Sequence, residues 1–200
     1  RPERARWYAC ACCPPNVARL ISSFGKYAYG ENKDTAFCHL FAAGTVAFEN
    51  GIKFTCRTEY PYDFHITYEV EKGGRLAIRI PEYSKTWQLT VNKVPCSPAP
   101  DKGYVSVTAQ DGDVIELTLD GTPYFVYASS RVPELTGKTA LCRGPLVYCF
   151  EGADNEGDIL SLSVKDHVPP TVGGYDGNLL GGSVALNVAA CRTDASQDLY

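Results

Sequence analysis

Three cysteines fall within four positions in Cys10-Ala11-Cys12-Cys13-Pro14-Pro15-Asn16, ahead of an apolar run of helical spacing. A thiolate is both a strong nucleophile and a soft metal ligand, so this stretch is where the chain could do chemistry. From Val17 the apolar residues recur at Val17, Leu20, Ile21, Phe24 and Tyr27/Ala28, one face of an α-helix. Pro14 and Pro15 suit a first turn, whose N–H groups lack partners anyway, and Gly30 suits the stop. The cysteines are therefore predicted at or just before a helix N-terminus, where the dipole and unpaired amides favour a sulfur anion. Two adjacent cysteines cannot complete a tetrahedral metal site by themselves. The bland alternative for Cys12 and Cys13 is a pair of buried structural thiols.

The elements that must position this stretch are mostly strands. After Gly30, runs at Thr35 to Phe41, Thr45 to Phe48 and Ile52 to Tyr60 read as strands, with Asn50-Gly51 a strong hairpin signal. Phe64, Ile66, Tyr68 and Val70 alternate with polar residues, which means one buried face. Further strands are predicted at Arg75 to Ile80, Trp87 to Val91, Tyr104 to Thr108, Val114 to Leu119 and Tyr124 to Ala128, with Asp111-Gly112 as a tight turn. Short strands at this spacing, without helices between them, indicate an antiparallel β-sandwich. Pro133 to Lys138 reads as a junction. Beyond it Thr139 to Leu141 and Leu146 to Phe150 flank Arg143-Gly144-Pro145, a bend, and strands follow at Ile159 to Val164 and Ser183 to Val188. The fold class is mainly β, in three parts: residues 1–30 as loop and helix, 31–133 as a β-sandwich domain and 134–200 as a partial second β-domain.

Composition narrows the function classes. A net charge of −4 with scattered basic residues offers no nucleic-acid footprint. No apolar run is long enough to span a bilayer. The nine cysteines are odd in number, and several alternate with apolar residues in strand-like runs. Reduced, buried thiols behave this way, so a reducing, cytoplasmic location is expected rather than a disulfide framework. The chain contains no methionine and is read as a piece of a longer protein.

The run Trp7-Tyr8-Ala9-Cys10-Ala11-Cys12-Cys13-Pro14-Pro15-Asn16-Val17-Ala18-Arg19-Leu20 resembles the bacterial β-L-arabinofuranosidases of glycoside hydrolase family 127. So do Cys38-His39-Leu40-Phe41, Thr58-Glu59-Tyr60-Pro61-Tyr62, Leu76-Ala77-Ile78-Arg79-Ile80-Pro81, Val91-Asn92 and Arg143-Gly144-Pro145-Leu146-Val147-Tyr148, in the family's order. The resemblance implies that residues 1–30 are the last active-site loop and helix of an (α/α)6 barrel, followed by β-sandwich domains. It implies a retaining mechanism in which Cys12 is the nucleophile and a zinc ligand, with Cys13 a second ligand. The remaining glutamate and cysteine ligands and the glutamate acid/base would lie before Arg1, so the zinc site is incomplete in this chain. The implied partners are an L-arabinofuranosyl oligosaccharide or glycoconjugate and the missing N-terminal barrel, and the isolated piece is expected to be inactive.

Other residues receive quieter readings. Cys10 is a packing or supporting residue, and Cys38, Cys56, Cys142, Cys149 and Cys191 are core or surface thiols. His39 is a hydrogen-bonded sheet residue, and His65 and His167 have no assigned role. Trp7 and Tyr8 could stack on a sugar or simply pack. Asp111 and Asp113 are turn formers, Arg143 pairs structurally, and Glu3 takes no part in the carried-over site. Two rival readings remain open. One is a carbohydrate-binding or scaffold β-sandwich with an exposed aromatic platform, for which Trp87 and the tyrosines are candidates. The other is a thiol or metal-binding module on Cys10, Cys12 and Cys13, against which stands the lack of a second cysteine pair.

Overall fold

The computed structural model describes residues 10–179 and 181–193. Trp7, Tyr8 and Glu3 lie outside the described residues. The chain divides into two compact units. One takes in the described residues up to Thr58 together with Ile66–Pro81 and Gln88–Leu117. The other takes in Glu59–His65, Glu82–Trp87 and the described residues from Thr118 onward.

The first unit opens with helices α1 (Cys13–Ser23) and α2 (Gly25–Ala28). The apolar period predicts one continuous helix ending at Gly30, but the helix breaks at Phe24–Gly25 and Gly30 lies in a strand. Glycine is a poor helix former, and the Ser23 hydroxyl turns back to donate to the Arg19 carbonyl at 2.7 Å, loosening the last turn. Phe24 N–H bonds Ile21 O at 3.3 Å in the tighter i→i−3 manner that closes the helix. Gly30 has another reason to be glycine, since an added Cβ would fall 2.8 Å from His39 Nε2.

Two sheets face one another in this unit. The first has the order β1 (Tyr29–Glu31), β2 (Thr35–Cys38), β6 (Gly74–Arg79), β9 (Tyr104–Ala109). The second has the order β3 (Gly44–Ala47), β4 (Lys53–Thr58), β5 (His65–Lys72), β10 (Val114–Leu119), β7 (Trp87–Val91), β8 (Val94–Cys96). β1 with β2, β3 with β4, β4 with β5, β6 with β9 and β7 with β8 pair antiparallel, whereas β2 and β6 run parallel. Between the sheets lie Phe54, Ile66, Tyr68, Leu76, Ile78, Leu89, Val105, Ile115 and Leu117, all but withdrawn from solvent. These are the alternating residues that the period of two marks as inward, and each contributes about 1.5–3 kcal/mol by leaving water. Tyr29 of one sheet meets Phe54 of the other edge-on, ring centroids 5.7 Å apart.

The turns follow their sequence signals. In the β3–β4 hairpin Asn50 Oδ1 accepts from Ile52 N–H at 3.1 Å, and the Glu31 carboxylate accepts from the Glu49 and Asn50 amides. In the β9–β10 turn Asp113 accepts from Gln110 N–H at 2.7 Å, while Asp111 accepts from Gly73 N–H and Lys72 Nζ. Both aspartates are turn formers, as their place beside Gly112 predicts.

The second unit contains a three-stranded sheet, β11 (Tyr124–Tyr127), β12 (Thr139–Arg143) and β13 (Leu146–Tyr148). Two antiparallel ribbons follow, β14 (Leu162–Val164) with β17 (Ala190–Arg192) and β15 (Thr171–Asp176) with β16 (Ser183–Asn187). Single 3₁₀ turns occupy Pro133–Leu135 and Ile159–Ser161. All nine cysteines are free. Among the described residues no helix is long and apolar enough to cross a membrane.

Candidate functional site

Cys12 occupies the N-cap of α1 and Cys13 its first turn, with Pro14 and Pro15 immediately inside. Proline costs nothing there, because first-turn amides have no intrahelical acceptor. The Cys12 carbonyl is held by Asn16, whose side-chain Nδ2–H donates at 2.9 Å and whose backbone N–H donates at 3.3 Å. Arg19 Nη1 in turn donates to Asn16 Oδ1 at 3.0 Å, so a guanidinium stands one turn into the helix beside the asparagine that fixes Cys12.

Both thiols are exposed among the described residues, and their sulfurs lie 3.8 Å apart. Two thiolates on one tetrahedral zinc, each at about 2.3 Å from the metal, stand about 3.8 Å from each other. The pair thus has the spacing of one edge of a zinc–thiolate tetrahedron. Among the described residues no cluster of three or more histidine, cysteine, aspartate or glutamate side chains could hold a metal, so the other two corners are not supplied there. The prolines also thin the ring of amides that the helix terminus offers: positions 14 and 15 carry no N–H, and the Asn16 amide is spent on Cys12 O.

The helix that carries the pair exposes its apolar face. Val17, Leu20 and Ile21 of α1, Phe24 at its end and Tyr27 of α2 are 43–72% exposed, and no residue of α1 is buried. A stripe of this kind is amphipathic without a second layer, the pattern of a helix whose packing partner lies outside the described residues.

The remaining cysteines divide as their surroundings dictate. Cys38 and Cys56 are buried in the sandwich, where burial pushes both thiols up from their ordinary range. Burial likewise raises the neighbouring Tyr29 and Tyr68 hydroxyls. Such groups stay neutral and serve packing. Cys142 is buried too, whereas Cys10, Cys149 and Cys191 are exposed. Cys10 is brought into no cluster with Cys12 and Cys13 that could hold a metal.

His39 is tied into the sheet by an Nδ1 contact of 2.7 Å to the Tyr104 hydroxyl and by stacking on Phe37. His65 Nδ1 meets Thr118 Oγ1 at 3.1 Å. Arg143 is structural in part. Its Nε donates to Gly121 O at 3.0 Å, its Nη1 to Tyr62 O at 3.1 Å, and its guanidinium lies 4.7 Å from the centre of the Phe64 ring.

Comparison with known proteins finds two family models along the chain. A model described as the beta-L-arabinofuranosidase GH127 middle domain matches residues 35–121, and one described as the glycoside hydrolase family 127 C-terminal domain matches residues 123–189. The chain is 37% identical to a non-reducing end beta-L-arabinofuranosidase of Bifidobacterium longum subsp. longum, an alignment taking in 98% of this chain and 32% of that protein. A solved GH127 beta-L-arabinofuranosidase from Geobacillus stearothermophilus T6 superposes with a TM-score of 0.87 at 32% identity, covering 100% of this chain and 34% of that one. A second solved GH127 beta-arabinofuranosidase gives a TM-score of 0.85 at 27% identity over 94% of this chain and 33% of that one. The chain spans about a third of the length of these relatives.

Proposed function

Because the chain belongs to glycoside hydrolase family 127, we propose that it is the C-terminal part of a retaining hydrolase that releases L-arabinofuranose from β-L-arabinofuranosides, with Cys12 as nucleophile. The observation that carries this reading is the exposed Cys12–Cys13 pair at the start of α1, sulfurs 3.8 Å apart. Cys12 and Cys13 would hold a zinc ion, which when bound supplies the positive charge that keeps a coordinating sulfur deprotonated.

The Cys12 sulfur attacks the anomeric carbon, forming a C–S bond as the glycosidic C–O bond breaks. The departing oxygen takes a proton from a general acid, and the arabinosyl group rests on Cys12 as a thioglycoside. Water then attacks the same carbon, gives its proton to that group acting as base, and the C–S bond breaks to restore the sulfur. Two displacements retain the anomeric configuration. Asn16 fixes the Cys12 carbonyl and so the direction in which the Cys12 side chain leaves the helix.

The acid/base, the remaining metal ligands and the sugar-recognition groups belong to the N-terminal barrel, and the apolar face of α1 is where that barrel packs. The chain alone is accordingly inactive. Nine free thiols favour a reducing compartment, in keeping with a cytoplasmic location.

The test is hydrolysis of a β-L-arabinofuranoside, with zinc content, in the longer protein and its Cys12→Ser variant. Loss of the nucleophile should lower kcat by a factor of about 10⁴ or more. Activity that survives the substitution removes Cys12 from the role.

A further inference from the structure

We propose that the second unit carries a binding site for a neutral saccharide, in the cleft where Tyr62, Tyr175, Asp63 and Arg143 meet. The cleft has a volume of about 750 Å³, and none of the nine cysteines lines it. That volume falls within the range of small-ligand sites. The proposal goes beyond the catalytic reading and holds whether or not Cys12 is the nucleophile.

The aromatic surface comes first. The Tyr62 and Tyr175 rings stand 5.6 Å apart with planes inclined at 58°, forming a corner rather than a closed stack. Tyr175 is 60% exposed, so much of its ring remains open to a ligand. Its position is set by the fold. The β15–β16 register slips between Val172 and Tyr175, a bulge of the kind that re-aims a side chain. The Tyr175 hydroxyl lies so close to Gly182 that any side chain there would strike it. Tyr62 is fixed by its own tight turn, its N–H bonded to Glu59 O at 2.9 Å. A rigid, open aromatic face presents an apolar body with a polar rim, which suits the C–H face of a sugar ring.

The polar groups supply the rest. Arg143 spends Nε and Nη1 on the Gly121 and Tyr62 carbonyls and makes no ion pair among the described residues. Its Nη2 remains as a donor beside the cleft. Asp63 Oδ1 accepts from His65 N–H at 3.0 Å, which leaves Oδ2 as an acceptor. A fixed donor and a fixed acceptor beside an aromatic corner match neighbouring hydroxyls on a sugar ring. Charge separates a neutral ligand from an anionic one: Glu59 and Asp63 both flank the two tyrosines, so Arg143 is not the centre of a positive field.

The test is calorimetric titration of the full 200-residue chain with β-L-arabinobiose and with arabinan, xylan and cellulose oligosaccharides. At least one should bind at one site per chain. Tyr175→Ala should weaken that binding about tenfold or more, as removal of an anchoring aromatic does. Tyr175→Phe, which keeps the ring, should retain it, and unchanged thermal melting of both variants shows that the fold is intact. Cys12→Ser should leave the affinity as it was. The proposal is overturned by the absence of binding to all four, by equal affinity in Tyr175→Ala, or by loss of binding in Cys12→Ser.

Discussion

Gly144 sits at the bend of the Arg143-Gly144-Pro145 motif with φ +55°, and a Cβ added there would fall 2.5 Å from Cε1 of Phe64. Gly144→Ala therefore carries two costs. The left-handed backbone costs an alanine about 1–2 kcal/mol, and forcing a methyl against a fixed ring adds about 1–3 kcal/mol of overpacking. Phe64 cannot yield freely, because its other contacts include the Arg143 guanidinium at 4.7 Å and Tyr83 edge-on at 6.2 Å. The total is about 2–5 kcal/mol, which for a domain of this size lowers Tm by about 4–20 °C. Gly137 provides the control: its φ is +75°, but a Cβ there meets nothing within 4 Å, so Gly137→Ala should cost the backbone component alone. Urea denaturation of the two variants side by side, followed by near-UV circular dichroism, separates the components. Equal destabilisation by both would refute the claim that Phe64 packing fixes this bend.

Two further outcomes follow from the same structure. Under native conditions a thiol reagent such as dithionitrobenzoate should modify Cys10, Cys12 and Cys13 promptly and reach Cys38 and Cys56 only after unfolding, because the latter are buried with their thiols pushed up. Peptide mapping after timed quenching reads this directly, and early labelling of Cys38 would contradict the packing of the sandwich. Acid should destabilise the first unit through its turns. Lys72 and Gly73 N–H hold the Asp111 carboxyl below its ordinary value, and Gln110 N–H with Asn92 does the same for Asp113. Carboxyls lowered by folding stabilise fully above the unfolded value of about 3.9 and lose that contribution as pH falls through the folded one. Thermal melts should thus be flat near neutrality and decline below about pH 4, less steeply in Asp113→Asn.

Much of this fold is legible in the chain because sheets and helices print their periods in different ways. The alternation at Phe64, Ile66, Tyr68 and Val70 marks an inward face, and Ile66, Tyr68 and Val70 are buried as that alternation requires. Asn50-Gly51 and Asp111-Gly112 mark turns through chemistry that acts within a few residues. What the chain did not disclose depends on distant partners. Strands β1, β8, β15 and β17 are short or glycine-rich and carry too few alternating residues to stand out. The parallel alignment of β2 with β6 is a matter of topology, which no local period records. The candidate site shows the same split. Cys12 and Cys13 announce themselves by adjacency and by the helix behind them, whereas Tyr175 lies more than a hundred positions beyond Tyr62 and joins it only through a bulged strand.

The central claim is that the sulfur of Cys12 bonds to the sugar. Incubating the longer protein with a slow β-L-arabinofuranoside, quenching in acid and mapping the peptides by mass spectrometry tests it directly. One added arabinosyl mass is expected on the peptide containing Cys12, and it should disappear in Cys12→Ser. An adduct on a carboxylate, or turnover with inversion of the anomeric centre, would contradict it.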